Sequence, residues 1–216
     1  MDHCCNDKAD ALATLRARQG RVLYLVLSIN AVMFVLEFVA GWLAQSTALL
    51  GDSLDMLGDA SVYAVTLYAL TASERTRAGI ALFKGLAMAV LGLAVLIEAA
   101  RKAVVGAMPD VGVMILVGAA ALIANALCFA LLFRHRADDL NMRSVWLCSR
   151  NDLISNTSVL LAAGAVYASG SMWPDVAIGV AIAMLFLHSA RQVLAEGRAE
   201  WHRTRRTSPK QYQVTE

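Results

Sequence analysis

Asp55-Met-Leu-Gly-Asp59 and Cys148-Ser-Arg-Asn-Asp152 are the two stretches that decide how this chain is read. Both are acidic turns set in segments otherwise apolar enough to cross a membrane. An ionisable group in hydrocarbon costs several kcal/mol unless it is paired or used, so such residues mark a functional site by default. Each pair is spaced i,i+4, which stacks its two side chains on one face of a helix. Asp55 and Asp59 facing Cys148 and Asp152 would enclose a divalent metal ion with three carboxylates and a thiolate.

Working outward, 58% of the 216 residues are hydrophobic, against roughly 45 to 50% in a soluble domain. At about 20 apolar residues per crossing, six segments are expected, near 22–43, 47–70, 80–100, 111–133, 143–168 and 174–194. The connections are short, at 44–46, 72–78, 106–110, 135–141 and 169–174. The fold predicted is an all-α membrane protein, six transmembrane helices in a compact up-down bundle. Residues 1–21 are polar and carry no apolar core, so they read as a cytoplasmic tail rather than a signal peptide. Residues 195–216 form a second, basic tail, whose Arg203, Arg205, Arg206 and Lys210 suit anionic lipid.

The net charge is only +2, and its placement is more informative. Apart from Arg150, which lies within the fifth span, Lys8, Arg16, Arg18 and Arg21 precede the first span, Arg75, Arg77 and Lys84 sit by the second connection, Arg134, Arg136 and Arg143 flank the fourth, and six more occupy the tail from Arg191 to Lys210. With both termini cytoplasmic, these all fall inside, as the positive-inside rule requires. Arg101 and Lys102 are the misfits, and Glu98, four residues before Lys102, is the expected partner for one of them. No nucleic-acid partner and no prosthetic group are expected. The four cysteines offer no disulfide framework. Cys4 and Cys5, with His3, Asp2 and Asp7, make a soft-ligand cluster that is either a metal-loading element or unpaired thiols in a disordered tail.

Depth follows from the helical rise. Span two, running inward, puts Asp55 at roughly 12 Å and Asp59 at roughly 18 Å from the outer face. Span five, running outward, puts Cys148 at roughly 22 Å and Asp152 at roughly 16 Å on the same scale. The four donors therefore meet near the midplane. Four negative charges cannot persist in low dielectric without a cation, so protons must replace the metal when it leaves. One soft sulfur among hard oxygens favours zinc or cadmium over magnesium or calcium. On spacing alone, Cys148 is either a ligand or a small buried apolar residue, the usual place of a free cysteine.

The run Ser46-Thr-Ala-Leu-Leu-Gly-Asp-Ser-Leu-Asp-Met-Leu-Gly-Asp59, together with Asn30, Glu37-Phe-Val-Ala-Gly41 and Asn141-Met-Arg-Ser-Val-Trp-Leu-Cys-Ser-Arg-Asn-Asp152, resembles the second, first and fifth helices of the cation diffusion facilitator family. The resemblance implies Asp55, Asp59, Cys148 and Asp152 as ligands of a transported ion. It also implies a metal and proton antiporter that exports its ion from the cytoplasm, a homodimer, and a place in a bacterial inner membrane. Cys148 stands where family members usually carry histidine, which leans the ion preference toward cadmium. The chain reads as a short member without the cytoplasmic domain that usually follows the sixth helix.

Other polar residues in the spans have more modest expectations. Asp52 would form the outer mouth of the path. Asn151 and Ser155 would orient ligands or simply hydrogen-bond between helices. Asn30 and Glu37 lie on one stripe, with Glu37 either relaying protons or making an internal hydrogen bond. Cys128 is assigned to packing, Arg150 to snorkelling and His188 to the interface. Gly85, Ala89 and Gly92 would admit a close helix, within the monomer before a dimer contact. Two other functions compete with this reading: a membrane metal sensor that binds without transport, and an intramembrane aspartyl hydrolase. The hydrolase would need acids on facing elements and leaves the thiol without a role, so no enzymatic activity is expected.

Overall fold

The computed structural model describes the backbone of residues 2–68, 74–134 and 142–207, and side chains from 21 to 203 except 66, 68–74, 77 and 133–151. Among the described residues six helices follow one another: α1 Asp2–Leu43, α2 Thr47–Tyr68, α3 Glu74–Val105, α4 Val111–Arg134, α5 Met142–Ser169 and α6 Trp173–Thr207. There is no strand among the described residues. The connections at 44–46, 106–110 and 170–172 fall where the breaks in apolar sequence put them.

The helices run further than their apolar cores on the opposite side. α1 is helical from Asp2, so the polar opening stretch is not an irregular tail, although the side chains of the His3, Cys4 and Cys5 cluster lie outside the described residues. α6 continues through Thr207, past the expected end at 194. Hydropathy marks where a helix leaves hydrocarbon, not where its backbone hydrogen bonding stops. The extension packs on α3: Gly197 meets Leu82, and the Arg75 guanidinium lies 5.2 Å from the Trp201 ring, a cation–π contact.

The bundle is apolar outside as well as inside. Leu25, Val32, Val35, Leu36 and Val39 on α1, Phe83, Leu86, Val90, Leu93 and Ile97 on α3, and Ile115, Leu116, Ile123 and Leu127 on α4 are all exposed. Among the described residues four helices contain windows long and apolar enough to cross a membrane, at Arg21–Leu43, Ala78–Val105, Val111–Leu132 and Trp173–Arg203, and only 22% to 33% of each window is buried. Outward apolar bands of this extent belong in lipid. Among the described residues, α2 and α5 do not reach that apolarity, and these are the two helices that carry the acidic turns. They sit with polar faces turned to one another.

α1 packs most extensively on α2, and α3 on α6. The small residues of α3 serve the second pairing, as expected for the monomer: Gly85 meets Leu194 and Gly92 meets Leu187. At α2–α6 the approach is closer still. A Cβ on Gly179 would stand 2.4 Å from the Thr47 backbone, so only glycine fits there.

That contact closes over a buried ion pair. Asp175, in the first turn of α6, is fully buried and accepts from Ser46 Oγ at 2.6 Å, Thr47 N at 2.8 Å, Thr47 Oγ1 at 2.8 Å, Ala48 N at 3.2 Å and Lys102 Nζ at 2.7 Å. Ser46 also caps α2, its Oγ accepting from Leu49 N at 3.2 Å. The carboxylate thus lies against the first amides of α2, where the macrodipole favours a negative charge. Lys102 donates a second bond to the carbonyl of Gln45, a residue with φ of 53° in the tight turn.

This arrangement corrects the expected partner of Glu98. Glu98 binds Arg101, one turn away, with Arg101 Nε donating at 2.8 Å, while Lys102 points into the bundle and pairs with Asp175. The two misfits of the charge pattern are therefore held by carboxylates. Replacing Lys102 with Met leaves Asp175 buried without its counter-charge and is expected to cost about 3–5 kcal/mol. The drop should appear as a lower unfolding midpoint in detergent, and Lys102→Met combined with Asp175→Asn should recover part of it. An unchanged midpoint in the single variant would show that the pair does not hold the helices.

Candidate functional site

Asp52, Asp55 and Asp59 lie three and four residues apart, so they form one stripe of α2. Ser155, Asn156 and Asp152 form the matching stripe of α5. The two stripes are joined by Asp52. It is fully buried, accepts from Ser155 Oγ at 2.8 Å, and takes Asn156 Nδ2 at 3.0 Å on each oxygen. Asn156 Oδ1 in turn accepts from Asn125 Nδ2 of α4 at 3.1 Å. Three helices are linked through one chain of polar side chains, with no charge other than that of Asp52.

Asp52 is thus not the open mouth expected from the sequence. Its depth follows from its donors: a carboxylate held by a hydroxyl and an amide is stable in the interior where an unpaired one is not. Ser155 fulfils its expected part as a hydrogen-bonding residue, but toward Asp52. Asn156 and Asn125 were missed, because neutral amides in apolar helices carry no pattern of their own. The signal that could have found Asn156 is its spacing, one turn beyond Asp152 on the acidic face.

The Asp52 contacts also set the register of two antiparallel helices. Toward the start of α2, Ala48 and Leu49 cluster with Val159, Ala162 and Ala163, which extends the same pairing. One turn the other way from Asp52, the register brings Asp55 level with Asp152. A further turn brings the α2 backbone at Asp59 level with the α5 backbone at 148. Asp55, Asp59 and Asp152 are partly buried, and each has an interacting neighbour. The side chains of Cys148, Arg150 and Asn151 lie outside the described residues. Among the described residues, no three His, Cys, Asp or Glu side chains converge closely enough to hold a metal ion.

Cys128 is buried in a core cluster with Leu23, Val26, Tyr63, Leu67 and Leu132, as its assignment to packing expects, and Asn30 Nδ2 lies 3.6 Å from its sulfur. His188 is exposed beside Gln192 at 3.2 Å and faces away from the acidic stripes. Glu37 is fully buried, and the internal hydrogen bond considered for it is not formed among the described residues.

Residues 23–200 match the model of the cation efflux transmembrane domain. The chain belongs to the cation efflux family. This establishes an all-helical, multi-pass integral membrane protein and bears out the resemblance carried by the acidic turns. Among relatives of the family, the zinc transporter ZitB of Yersinia pestis is 26% identical over 187 residues, covering 81% of this chain and 60% of that protein. The metal cation efflux system protein CzcD of Cupriavidus metallidurans is 26% identical over 196 residues, covering 82% and 62%. A cadmium, cobalt and zinc/H(+)-K(+) antiporter of Bacillus subtilis is 26% identical over 188 residues, covering 78% and 60%. The chain spans about 60% of the length of the curated relatives it matches.

Within the cation efflux bundle, the Asn125–Asn156–Asp52 chain holds α2 and α5 in register, and its removal should be costly. Asn156→Leu takes away one of the two side chains that donate to Asp52 and is expected to destabilise the fold by about 1–3 kcal/mol. Unfolding in mixed micelles would measure it. Asp52→Leu with Asn156→Leu should cost less than the two single changes together; strict additivity would mean the residues act separately.

Proposed function

We propose that this chain is the membrane unit of a divalent-metal exporter that exchanges zinc or cadmium for protons, with Asp55, Asp59, Cys148 and Asp152 as the metal ligands. The observation that supports the reading is the register fixed by Asp52, on which the α2 backbone at 55 and 59 runs level with the α5 backbone at 152 and 148. Membership of the cation efflux family supports it, as do the relatives' names, a zinc transporter and a cadmium, cobalt and zinc/H(+)-K(+) antiporter among them.

The mechanism follows from charge. Facing the cytoplasm, deprotonated carboxylates and the thiolate take the metal ion. Facing outward, protons compete for the same atoms and release it, because a cluster of like charges in low dielectric needs one compensating cation or the other. Alternating access moves the bundle around a fixed midplane site. The chemistry is displacement of one cation by another, so no enzymatic step is assigned. The transporting unit is taken as 22–194, in a bacterial inner membrane with both termini cytoplasmic, working as a homodimer in the bilayer.

Proteoliposomes enclosing a pH-sensitive dye test this directly, with zinc, cadmium, cobalt and nickel offered in turn. Metal entry with opposite proton movement is expected. Asp59→Ala or Asp152→Ala should abolish it, a loss beyond the roughly 10–100-fold seen when a residue that only orients a ligand is removed, while the unfolding midpoint stays within a few degrees. Wild-type flux in either variant would remove that residue from the site, and bound metal without flux in the unaltered chain would identify a binding protein instead. Cys148→His should raise the ratio of zinc to cadmium transported; an unchanged ratio would count against sulfur ligation.

A further inference from the structure

The described residues contain three buried side-chain nitrogen or oxygen atoms that lack a hydrogen-bond partner: Asn30 Oδ1, Glu37 Oε1 and Glu37 Oε2. All three are acceptors, and all belong to α1. Glu37 is 0% exposed and Asn30 1%. The two residues are seven positions apart, two helical turns or about 10 Å along one stripe. The amide nitrogen of Asn30 is engaged, donating to the Val26 carbonyl at 2.9 Å, which leaves its oxygen as the open atom.

Their neighbours are fixed by the α1–α2 hairpin. Gly41 meets Leu49 and Leu50, Met33 clusters with Met56, and Leu23 and Val26 cluster with Tyr63 and Leu67. On this antiparallel register, Glu37 stands opposite Ser53 and Leu54, between Asp52 and Asp55, and Asn30 stands opposite Ala60 and Ser61, beside Asp59. Glu37 is also within electrostatic reach of both Asp52 and Asp55. Asp52 already has its donors from α5, so Glu37 is the carboxylate at this level whose oxygens remain open.

A buried carboxylate without donors destabilises a fold, and replacement of such a group by an apolar residue of similar volume is commonly neutral or favourable. A stripe of oxygens with no donors is poorly suited to holding helices together. It is well suited to a passing cation, which satisfies several acceptors at once. From this placement we infer that α1 supplies a second column of ligands to the cation path, in which Glu37 binds the divalent ion at the level of Asp52 and Asp55 and Asn30 Oδ1 binds it beside Asp59. The inference rests on the transport reading above and adds a third helix to it.

The test uses the full chain in lipid nanodiscs and proteoliposomes, with cadmium ion as the probe. Three quantities are read: cadmium affinity by competition with a fluorescent chelator, cadmium uptake, and the unfolding midpoint. Glu37→Gln and Glu37→Leu are expected to unfold at or above the wild-type midpoint, yet to bind cadmium at least ten-fold more weakly and to lose most uptake. Asn30→Leu is expected to weaken binding several-fold. Wild-type affinity and uptake in Glu37→Gln would overturn the inference, as would a markedly lowered midpoint in Glu37→Gln, which would make the carboxylate a structural residue. Asp152→Ala is measured in parallel. If it matches the wild-type chain, the transport site itself is wrong and this inference falls with it; if it is inactive while Glu37→Gln behaves as wild type, only the role of α1 is overturned.

Discussion

A carboxylate inside a helical bundle in lipid must find donors or a cation, and this chain meets that requirement in several ways along its length. Asp175 has a lysine, two hydroxyls and two backbone amides. Asp52 has a hydroxyl and an amide and no counter-charge. Glu37 has no hydrogen-bond partner among the described residues. The degree of satisfaction changes with position. The fully compensated acid lies at the end of the bundle where α1, α2, α3 and α6 converge, and the uncompensated one lies in the interior beside the acidic stripe of α2.

That gradient separates holding from handling. Where charge is cancelled, side chains fix helices to one another: the Asp175 pair joins α6 to α3 and to the start of α2, and Gly179 lets the backbones of α2 and α6 come into contact there. Where acceptors are left open, as on Glu37 and Asn30, the side chains add no hydrogen bond between helices through those atoms. The Asn125–Asn156–Asp52 chain stands between the two regimes. Its one carboxylate is held by neutral donors without an ion, and it aligns the residues one and two turns further along both helices.

Much of this was legible in sequence because membrane helices obey simple rules. The breaks at 44–46 and 106–110 stand out between long apolar runs, and acids four residues apart in such runs identify themselves. The family resemblance drew on the same residues. Other features left no such trace. Lys102 and Asp175 are 73 positions apart, and nothing in either segment says that their faces meet; the nearer Glu98 was the natural partner until the packing showed Arg101 in that place. The continuation of α6 to Thr207 was hidden because a helix in water needs no apolar run. Asp52 looked like a sibling of Asp55 and Asp59, since the spacing that puts all three on one stripe does not reveal which of them meets Ser155 and Asn156.

The contrast between the apolar helices and α2 has a consequence for how the protein is made. Asp52, Asp55 and Asp59 each oppose insertion by about 2.5–3.5 kcal/mol when placed near the centre of an isolated helix, so α2 is a poor candidate for entering the bilayer alone. The turn at 44–46 ties it to α1, whose run Arg21–Leu43 is apolar enough to cross a membrane even with Asn30 and Glu37 in it, and the two can partition as a hairpin. The donors to Asp52 come from α5, and Asp175 of α6, the carboxylate that takes the first amides of α2, is synthesised 129 positions after Ser46. During translation the polar helix must therefore wait in the membrane, sheltered by its hairpin neighbour, until the last helices arrive. Its acids impose an order of assembly on the nascent chain.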